Sequence, residues 1–372
     1  MTQIIDMKSF PYSYEELERM AAENTSPEAF DYVQSGSSTE QTLRTNVQAF
    51  SKYAFKPRVC TGTKVVDSKI ELFGEEYPFP IFFAPIGNQK VVHPEGELAS
   101  ARAANRLNVP YIASTVSSHT IEEIAEASGN GDRWFQLYAT KDQDVTNSLI
   151  NRAEKNGYTA IVLTVDMAPS WRIKDMRNQF LPFSRGQKPY PSIVSDPVFQ
   201  EKYGTSVLEN GLEKTVRSIF PNPQFSWDQL KELKKITSLP IIVKGILDED
   251  DAKIALEFGA DGIVVSNHGG RMIDGCIPAI KALPSIAEVV KKRVPIFLDS
   301  GIRSAKDVFI ALALGADAVF LGRPFIYGLA IAGEEGVYKV FSNQFEEFRR
   351  MMILCGTNNI DAIKKLKIIE IN

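Results

Sequence analysis

Eight short apolar runs recur from residue 80 onward, at 80–86, 110–116, 134–139, 160–165, 240–246, 262–267, 295–299 and 318–322. Amphipathic stretches separate them, at 95–107, 121–127, 145–156, 227–236, 248–258, 279–292 and 305–314. A strand that is apolar on both sides must be covered on both sides, and a parallel sheet wrapped by helices does this. Eight such units over roughly 250 residues fit a closed barrel better than an open sheet. The expected class is therefore α/β, a (β/α)8 or TIM barrel.

A barrel of this kind has a prescribed place for chemistry, the C-terminal ends of its strands and the loops that follow. Polar residues gather at those ends from the second run to the eighth. They are Ser114, Gln136 with Tyr138, Thr164 with Asp166, Lys244, His268 with Arg271, Asp299 with Gly301 and Arg303, and Gly322 with Arg323. Three segments stand outside the repeat. Residues 1–79 read as helices at 14–22, 27–34 and 40–50, followed by a hairpin-like piece at 70–77. Residues 167–226, rich in proline and aromatics, form a long excursion after the fourth strand, expected to be a lid over the mouth. Residues 331–372 read as C-terminal helices, and all parts belong to one domain, 1–372.

Composition narrows the partners. With 42 Lys and Arg against 46 Asp and Glu, the chain lacks the basic excess that nucleic acid requires. No apolar run approaches the roughly 18 residues of a membrane span. The first residues carry neither a basic leader nor an apolar signal core, and the last five match no retention tag. Cys60, Cys276 and Cys355 are widely spaced and show no metal-ligand pattern. A cytoplasmic protein with reduced cysteines and no metal is expected.

The run Ser266-Asn267-His268-Gly269-Gly270-Arg271, with Asp274-Gly275 after it, follows the apolar strand of Ile263, Val264 and Val265. Histidine is the side chain suited to proton abstraction near neutral pH, and arginine holds a carboxylate with two parallel hydrogen bonds. The two glycines are expected to leave room for a flat ligand against the backbone. Asp166 ends the fourth strand and needs a partner if buried, which points to His268. Lys244 follows three apolar residues, a position from which it can stabilise negative charge on a cofactor ring or form a Schiff base. Gln136 and Thr164 are neutral groups suited to the edge of a heteroaromatic ring. Asp299-Ser300-Gly301-Ile302-Arg303 and Gly322-Arg323-Pro324 follow the last two strands, where such barrels bind phosphate. His93 and His119 sit beside helix starts and read as caps or packing groups.

With these residues assembled, the chain resembles the FMN-dependent 2-hydroxy-acid oxidase and dehydrogenase family over nearly its whole length. The motif from Ser266 to Gly275 looks like that family's signature. Ala84-Pro85, His93-Pro94-Glu95-Gly96, Phe135-Gln136-Leu137-Tyr138, Val243-Lys244-Gly245 and Gly322-Arg323-Pro324 also match. In the lid, Leu181-Pro182-Phe183, Arg185-Gly186 and Asp196-Pro197-Val198-Phe199 look most like lactate 2-monooxygenase, which with lactate oxidase is the part of the family the chain most resembles. The resemblance implies FMN as cofactor, a small 2-hydroxy acid and O2 as reactants, and a homo-oligomer, in this family a tetramer.

Carried over by position, His268 is the implied base, oriented by Asp166, with Tyr138 on the substrate hydroxyl. Arg271, Arg172 and Tyr32 are the implied carboxylate ligands. Ser114, Gln136, Thr164 and Ser266 are implied at the flavin ring, Lys244 at its pyrimidine side, and Pro85, Ile86 and Gly87 against it through their backbone. Asp299, Gly301, Arg303, Gly322 and Arg323 are implied at the ribityl chain and phosphate. Two departures bear on the site. The segment from Asp166 to Arg172 is about one residue shorter than usual, and Gly87 and Val116 replace larger residues, which predicts a roomier site. The alternatives are another FMN barrel enzyme, such as an isopentenyl diphosphate isomerase, or a non-catalytic flavin-binding relative.

Overall fold

The computed structural model describes residues 10–167, 170–180 and 190–371. Eight parallel strands form a nearly closed barrel: β1 (Ile81–Phe83), β2 (Tyr111–Ser114), β3 (Arg133–Leu137), β4 (Ala160–Thr164), β5 (Ile241–Ile246), β6 (Gly262–Val265), β7 (Ile296–Leu298) and β8 (Ala318–Leu321). Ladders join them in the order β1, β8, β7, β6, β5, β4, β3, β2. The TIM-barrel expectation is met. Between β1 and β2 the described residues form no ladder. That seam is bridged above the strands by the Asn88 N–H, which donates to the Val116 carbonyl at 3.0 Å.

Several ladders are shorter than the apolar runs. The run 80–86 pairs only over Ile81–Phe83, because Pro85 has no N–H to donate and the chain turns out toward the mouth. Helices follow the strands in order, and several start where a side chain caps them. Thr120 and Glu123 form a capping box for Ile121–Ser128, Asp142 caps Gln143–Lys155, and Asp248 caps Glu249–Glu257.

Side chains two apart on a strand share a face, and this explains both the floor and the mouth. Phe82, Phe297 and Phe320 meet the Trp134 ring edge-on at 5.6, 5.8 and 6.4 Å, forming a dry aromatic floor inside the barrel. Two residues further along the same strands stand Ala84, Asp299, Gly322 and Gln136. The hairpin Ile70–Leu72 and Glu75–Tyr77 closes the opposite end, with Phe73 edge-on to Trp134 and Tyr77 edge-on to Phe82.

The outlying segments are close to expectation at the N-terminus. Helices Tyr14–Asn24, Pro27–Gln34 and Gln41–Gln48 are present, the last passing into a 3-10 turn at Ala49–Lys52. The reading of 331–372 as helices needs correction. Helix Arg323–Leu354 kinks at Ala332 and Gly333, a short helix Ile360–Lys364 follows, and Ile368–Glu370 is a strand paired antiparallel with Tyr53–Phe55. Its β-branched, alternating sequence suits a pleated surface.

In the excursion after β4, the structure holds helices Ile173–Arg177, Pro191–Val194, Pro197–Asn210 and Leu212–Ile219. Buried Asp196 caps one of them and also accepts from Ser148 and Arg152 of the barrel helix, which docks this segment on the barrel. The motif residues Leu181, Pro182, Phe183, Arg185 and Gly186 lie outside the described residues. Among the described residues, no helix is long and apolar enough to cross a membrane.

Candidate active site

A polar arc, one residue from each of β2 to β7 or just after it, crowns the aromatic floor. Ser114 Oγ donates to Gln136 Oε1 at 2.8 Å, and Gln136 Nε2 donates to Thr164 Oγ1 at 3.1 Å. Lys244 Nζ donates to Ser266 Oγ at 2.9 Å and pairs with Asp299 Oδ2 at 3.1 Å. Burial alone would lower the Lys244 ammonium, but Asp299 and Asp166 outweigh it and hold it above the usual lysine value. No Schiff-base lysine is poised here, since a nucleophilic amine must be neutral. Above the arc opens a cavity of about 430 Å³. Ser114, Lys244, Asp299 and Gly322 reach its wall, whereas Gln136, Thr164 and Ser266 lie beneath it and support the wall through these bonds.

The turn after β6 presents the histidine. His268, Gly269 and Gly270 take φ values of 60, 66 and 74°, a left-handed reversal that only glycine adopts without strain. It is held by Ser300, whose Oγ accepts from the N–H groups of Asn267 and Gly269, and by Ser266 Oγ, which accepts from the His268 N–H at 3.0 Å. The glycines serve a different purpose from the one expected. A Cβ on Gly270 would stand 2.6 Å from the Leu43 nitrogen, and one on Gly269 would stand 3.0 Å from Arg323 Nη1. They make room for the N-terminal helix Gln41–Gln48 and for an arginine.

His268 Nδ1 lies 2.9 Å from Asp166 Oδ1, and Nε2 lies 3.3 Å from the Tyr138 hydroxyl. Burial would raise the Asp166 carboxyl, but His268 and Lys244 prevail and hold it below the ordinary carboxylate range. Asp166 is therefore an anion behind the imidazole and does not line the cavity. Burial, reinforced by Asp166, raises the Tyr138 phenol, which stays protonated.

Tyr32, Arg172 and Arg271 line the cavity together, with the two guanidiniums 5.4 and 5.3 Å from the Tyr32 ring centre. The short segment before Arg172 does not remove it from the site. Arg271 Nη1 donates to the carbonyls of Tyr32 and Ser35, both at 2.9 Å. Burial and the charge of Arg172 push Arg271 down to about 9, which leaves it cationic at neutral pH.

The far end of the cavity carries Gly301, Arg303 and Arg323. Arg323 donates to the carbonyls of Val33, Ser35 and Gly269, and burial together with the Arg303 charge lowers it. Arg303 Nε is buried without a hydrogen-bond partner among the described residues. Two crowded guanidiniums with an unspent donor, beside Gly301 and Gly322, fit a phosphate. Pro85, Ile86 and Gly87 form the adjoining wall. At Gly87 the expectation of extra room is wrong. A Cβ there would stand 2.4 Å from the Val116 carbonyl oxygen, so the glycine admits the neighbouring backbone and leaves no empty space.

His93 packs against Gly333, and buried His119 pairs with Glu97 Oε2 at 3.0 Å, so both are structural. Sequence reasoning missed Ser300, although it sits inside a quoted motif, and it missed Tyr190, Arg217 and Phe220 of the excursion, which also line the cavity. The last three carry no spacing signal, because the excursion after β4 has no repeat to index them.

The comparisons agree with this geometry. A sequence profile described as FMN-dependent dehydrogenase matches residues 21–370. An L-lactate oxidase of Lysinibacillus sphaericus (strain C3-41) is 45% identical over 362 residues, covering 97% of this chain and 93% of its own. The 2-hydroxyacid oxidase 1 of Mus musculus is 42% identical, covering 90% of each chain. A crystal structure of mandelate oxidase with 3,3-difluoro-2-hydroxy-3-phenylpropionic acid superposes with a TM-score of 0.87 at 37% identity, covering 97% of this chain and 100% of that one. A barrel with a partly buried histidine–aspartate pair, an arginine-flanked tyrosine and a phosphate-fitting end thus meets a match over almost its full length: the chain belongs to the family of FMN-dependent 2-hydroxy-acid dehydrogenases and oxidases.

Proposed function

We propose that this enzyme oxidises L-lactate, or a closely similar (S)-2-hydroxy acid, to the 2-keto acid, with O2 as the final oxidant. One observation carries the reading. His268, backed by Asp166, and the guanidiniums of Arg172 and Arg271 open on one cavity, so a base and a carboxylate clamp meet a single small substrate. The naming of the L-lactate oxidase relative supports the choice of lactate.

Arg172, Arg271 and the Tyr32 hydroxyl hold the substrate carboxylate, and the Tyr138 hydroxyl bonds the substrate oxygen. His268 Nε2 takes a proton from the substrate, and the Asp166 charge stabilises the imidazolium that results. The alcohol loses two electrons and two hydrogens in becoming a ketone. Ser114, Gln136, Thr164, Lys244 and Ser266 would hold the flavin ring, with Pro85, Ile86 and Gly87 beside it. Asp299, Gly301, Arg303, Gly322 and Arg323 would hold its ribityl phosphate. Bound FMN supplies the two-electron acceptor. A homo-oligomer in the cytoplasm accords with this reading, and exposed Trp171 and Ile273 beside the mouth favour association.

Anaerobic mixing with L-lactate tests the proposal. The flavin absorbance should bleach in the wild-type protein, and His268→Ala should keep its FMN while losing bleaching. A wild-type flavin that stays oxidised refutes the function. In air, pyruvate with peroxide identifies an oxidase, whereas acetate with CO2 identifies the monooxygenase outcome.

A further inference from the structure

Three of the arginines that line the cavity, Arg172, Arg271 and Arg323, share one buried node. The Ser35 carbonyl accepts from Arg271 Nη1 at 2.9 Å and from Arg323 Nη2 at 3.0 Å. The Ser35 hydroxyl, 3.0 Å from Asp175 Oδ1, donates to it. Asp175 Oδ2 in turn stands 2.8 Å from Arg172 Nε. Ser35 is fully buried, and the Asp175 side chain is only 9% exposed. Asp175 lies on the short helix Ile173–Arg177 of the excursion, whereas Ser35 closes the N-terminal helix Pro27–Gln34.

We propose that Asp175 is a positioning residue for recognition of the substrate carboxylate. It fixes the Arg172 guanidinium and ties it through Ser35 to the backbone that already fixes Arg271. The physical need is clear from the charges. Arg172 and Arg271 flank one tyrosine ring, and like cations in a poorly hydrated site repel. An arginine on a flexible stem would swing toward solvent, and aligning it again on binding would cost side-chain entropy. A carboxylate 2.8 Å from Nε, paired by charge without an aligned hydrogen bond, supplies the opposite charge and keeps the guanidinium at the site, leaving the terminal nitrogens to meet a ligand carboxylate. Arg172 thereby stays in the site despite the shortened segment before it.

This inference rests on the proposed function, and a ligand titration separates the two. FMN-loaded wild type, Asp175→Asn, Arg172→Gln and the double variant are titrated with pyruvate, following the flavin absorbance. KM and kcat for L-lactate are measured alongside. Asp175→Asn should weaken pyruvate and raise KM about ten-fold or more, with kcat within about three-fold, because alignment of the clamp is lost and not the chemistry. On the Arg172→Gln background the same change should do almost nothing. Equal pyruvate affinity in Asp175→Asn and wild type overturns the proposal, as does an equal loss on both backgrounds, which would mark a purely structural role. Should Asp175→Asn fail to retain FMN, Ser35→Ala takes its place, with a loss of about three-fold and the same non-additivity required. If wild type binds pyruvate but lactate does not bleach it, the function fails and the positioning role is still read from affinity. If wild type binds no pyruvate, both fall.

Discussion

Replacing Asp166 by Asn isolates the value of one negative charge behind the base. The amide keeps an oxygen where Oδ1 now accepts from His268 Nδ1 at 2.9 Å, so the ring orientation survives. What disappears is the Coulombic attraction for an imidazolium. Charge is spread over the carboxylate and the ring, so the effective separation is about 4 Å. At an effective dielectric near 20 this is worth about 4 kcal/mol. At 1.36 kcal/mol per decade the loss is about a thousand-fold in the rate of proton removal. Lys244, which also lowers the Asp166 carboxyl, would then face the imidazolium with only Asp299 to offset it, and adds in the same direction. Anaerobic stopped-flow reduction with saturating L-lactate measures the effect, with retained FMN as the folding control. The limiting rate should fall 10²- to 10³-fold with a small change in substrate affinity, because Arg172 and Arg271 are untouched. A limiting rate within ten-fold of wild type, or a loss seen only in KM, would refute the charge-stabilisation reasoning.

Asp166 also leaves a signature in acid. Its native carboxyl is held below the unfolded value of about 3.9, so its stabilisation is complete above that pH and is lost as pH falls through the native value. Urea melts from pH 7 down to pH 2 should therefore show a smaller acid loss for Asp166→Asn than for wild type. Lys244→Met strands the Asp299 carboxylate, whose side chain is 8% exposed, and should destabilise by about 3–5 kcal/mol with loss of FMN; unchanged denaturation and flavin content would contradict the pairing. Gly270→Ala forces a side chain into φ of 74° against the Leu43 nitrogen and should cost about 1–3 kcal/mol in chemical denaturation. An unaltered midpoint would mean that the N-terminal helix does not press on this turn.

The barrel is legible because its period is written twice, once in the eight apolar runs and again in the polar residues that end them. Lys244 after Ile241, Ile242 and Val243, or Asp299 after Phe297, announces a strand that changes from dry floor to ligand ring. Bonds to main-chain oxygens leave no such trace. Nothing in the residue types of Tyr32, Val33 and Ser35 says that Arg271 and Arg323 will fasten to their carbonyls. The Gly87 position misleads for a related reason: a missing side chain reads as space, yet the Val116 backbone fills it. The excursion after β4 is legible as a lid and silent about its residues, since Tyr190, Arg217 and Phe220 gain meaning only from folding over the mouth.

The seam between β1 and β2 gives the barrel a mechanical axis. A hoop of ladders closed all round would resist dilation equally in every direction, but this one has the topology of a split ring, laddered at seven joints and unladdered at the eighth among the described residues. The slit runs beside Pro85, Ile86 and Gly87 on one lip and Ser114 and Val116 on the other, all of them cavity wall. Its clasp includes the Asn88-to-Val116 bond that the bare Gly87 lets close, with Lys90 N–H donating to Ser118 Oγ and Gln89 Nε2 to the Tyr111 hydroxyl beside it. Breathing should concentrate there, and hydrogen exchange at the Asn88 amide is the measurement that reads it.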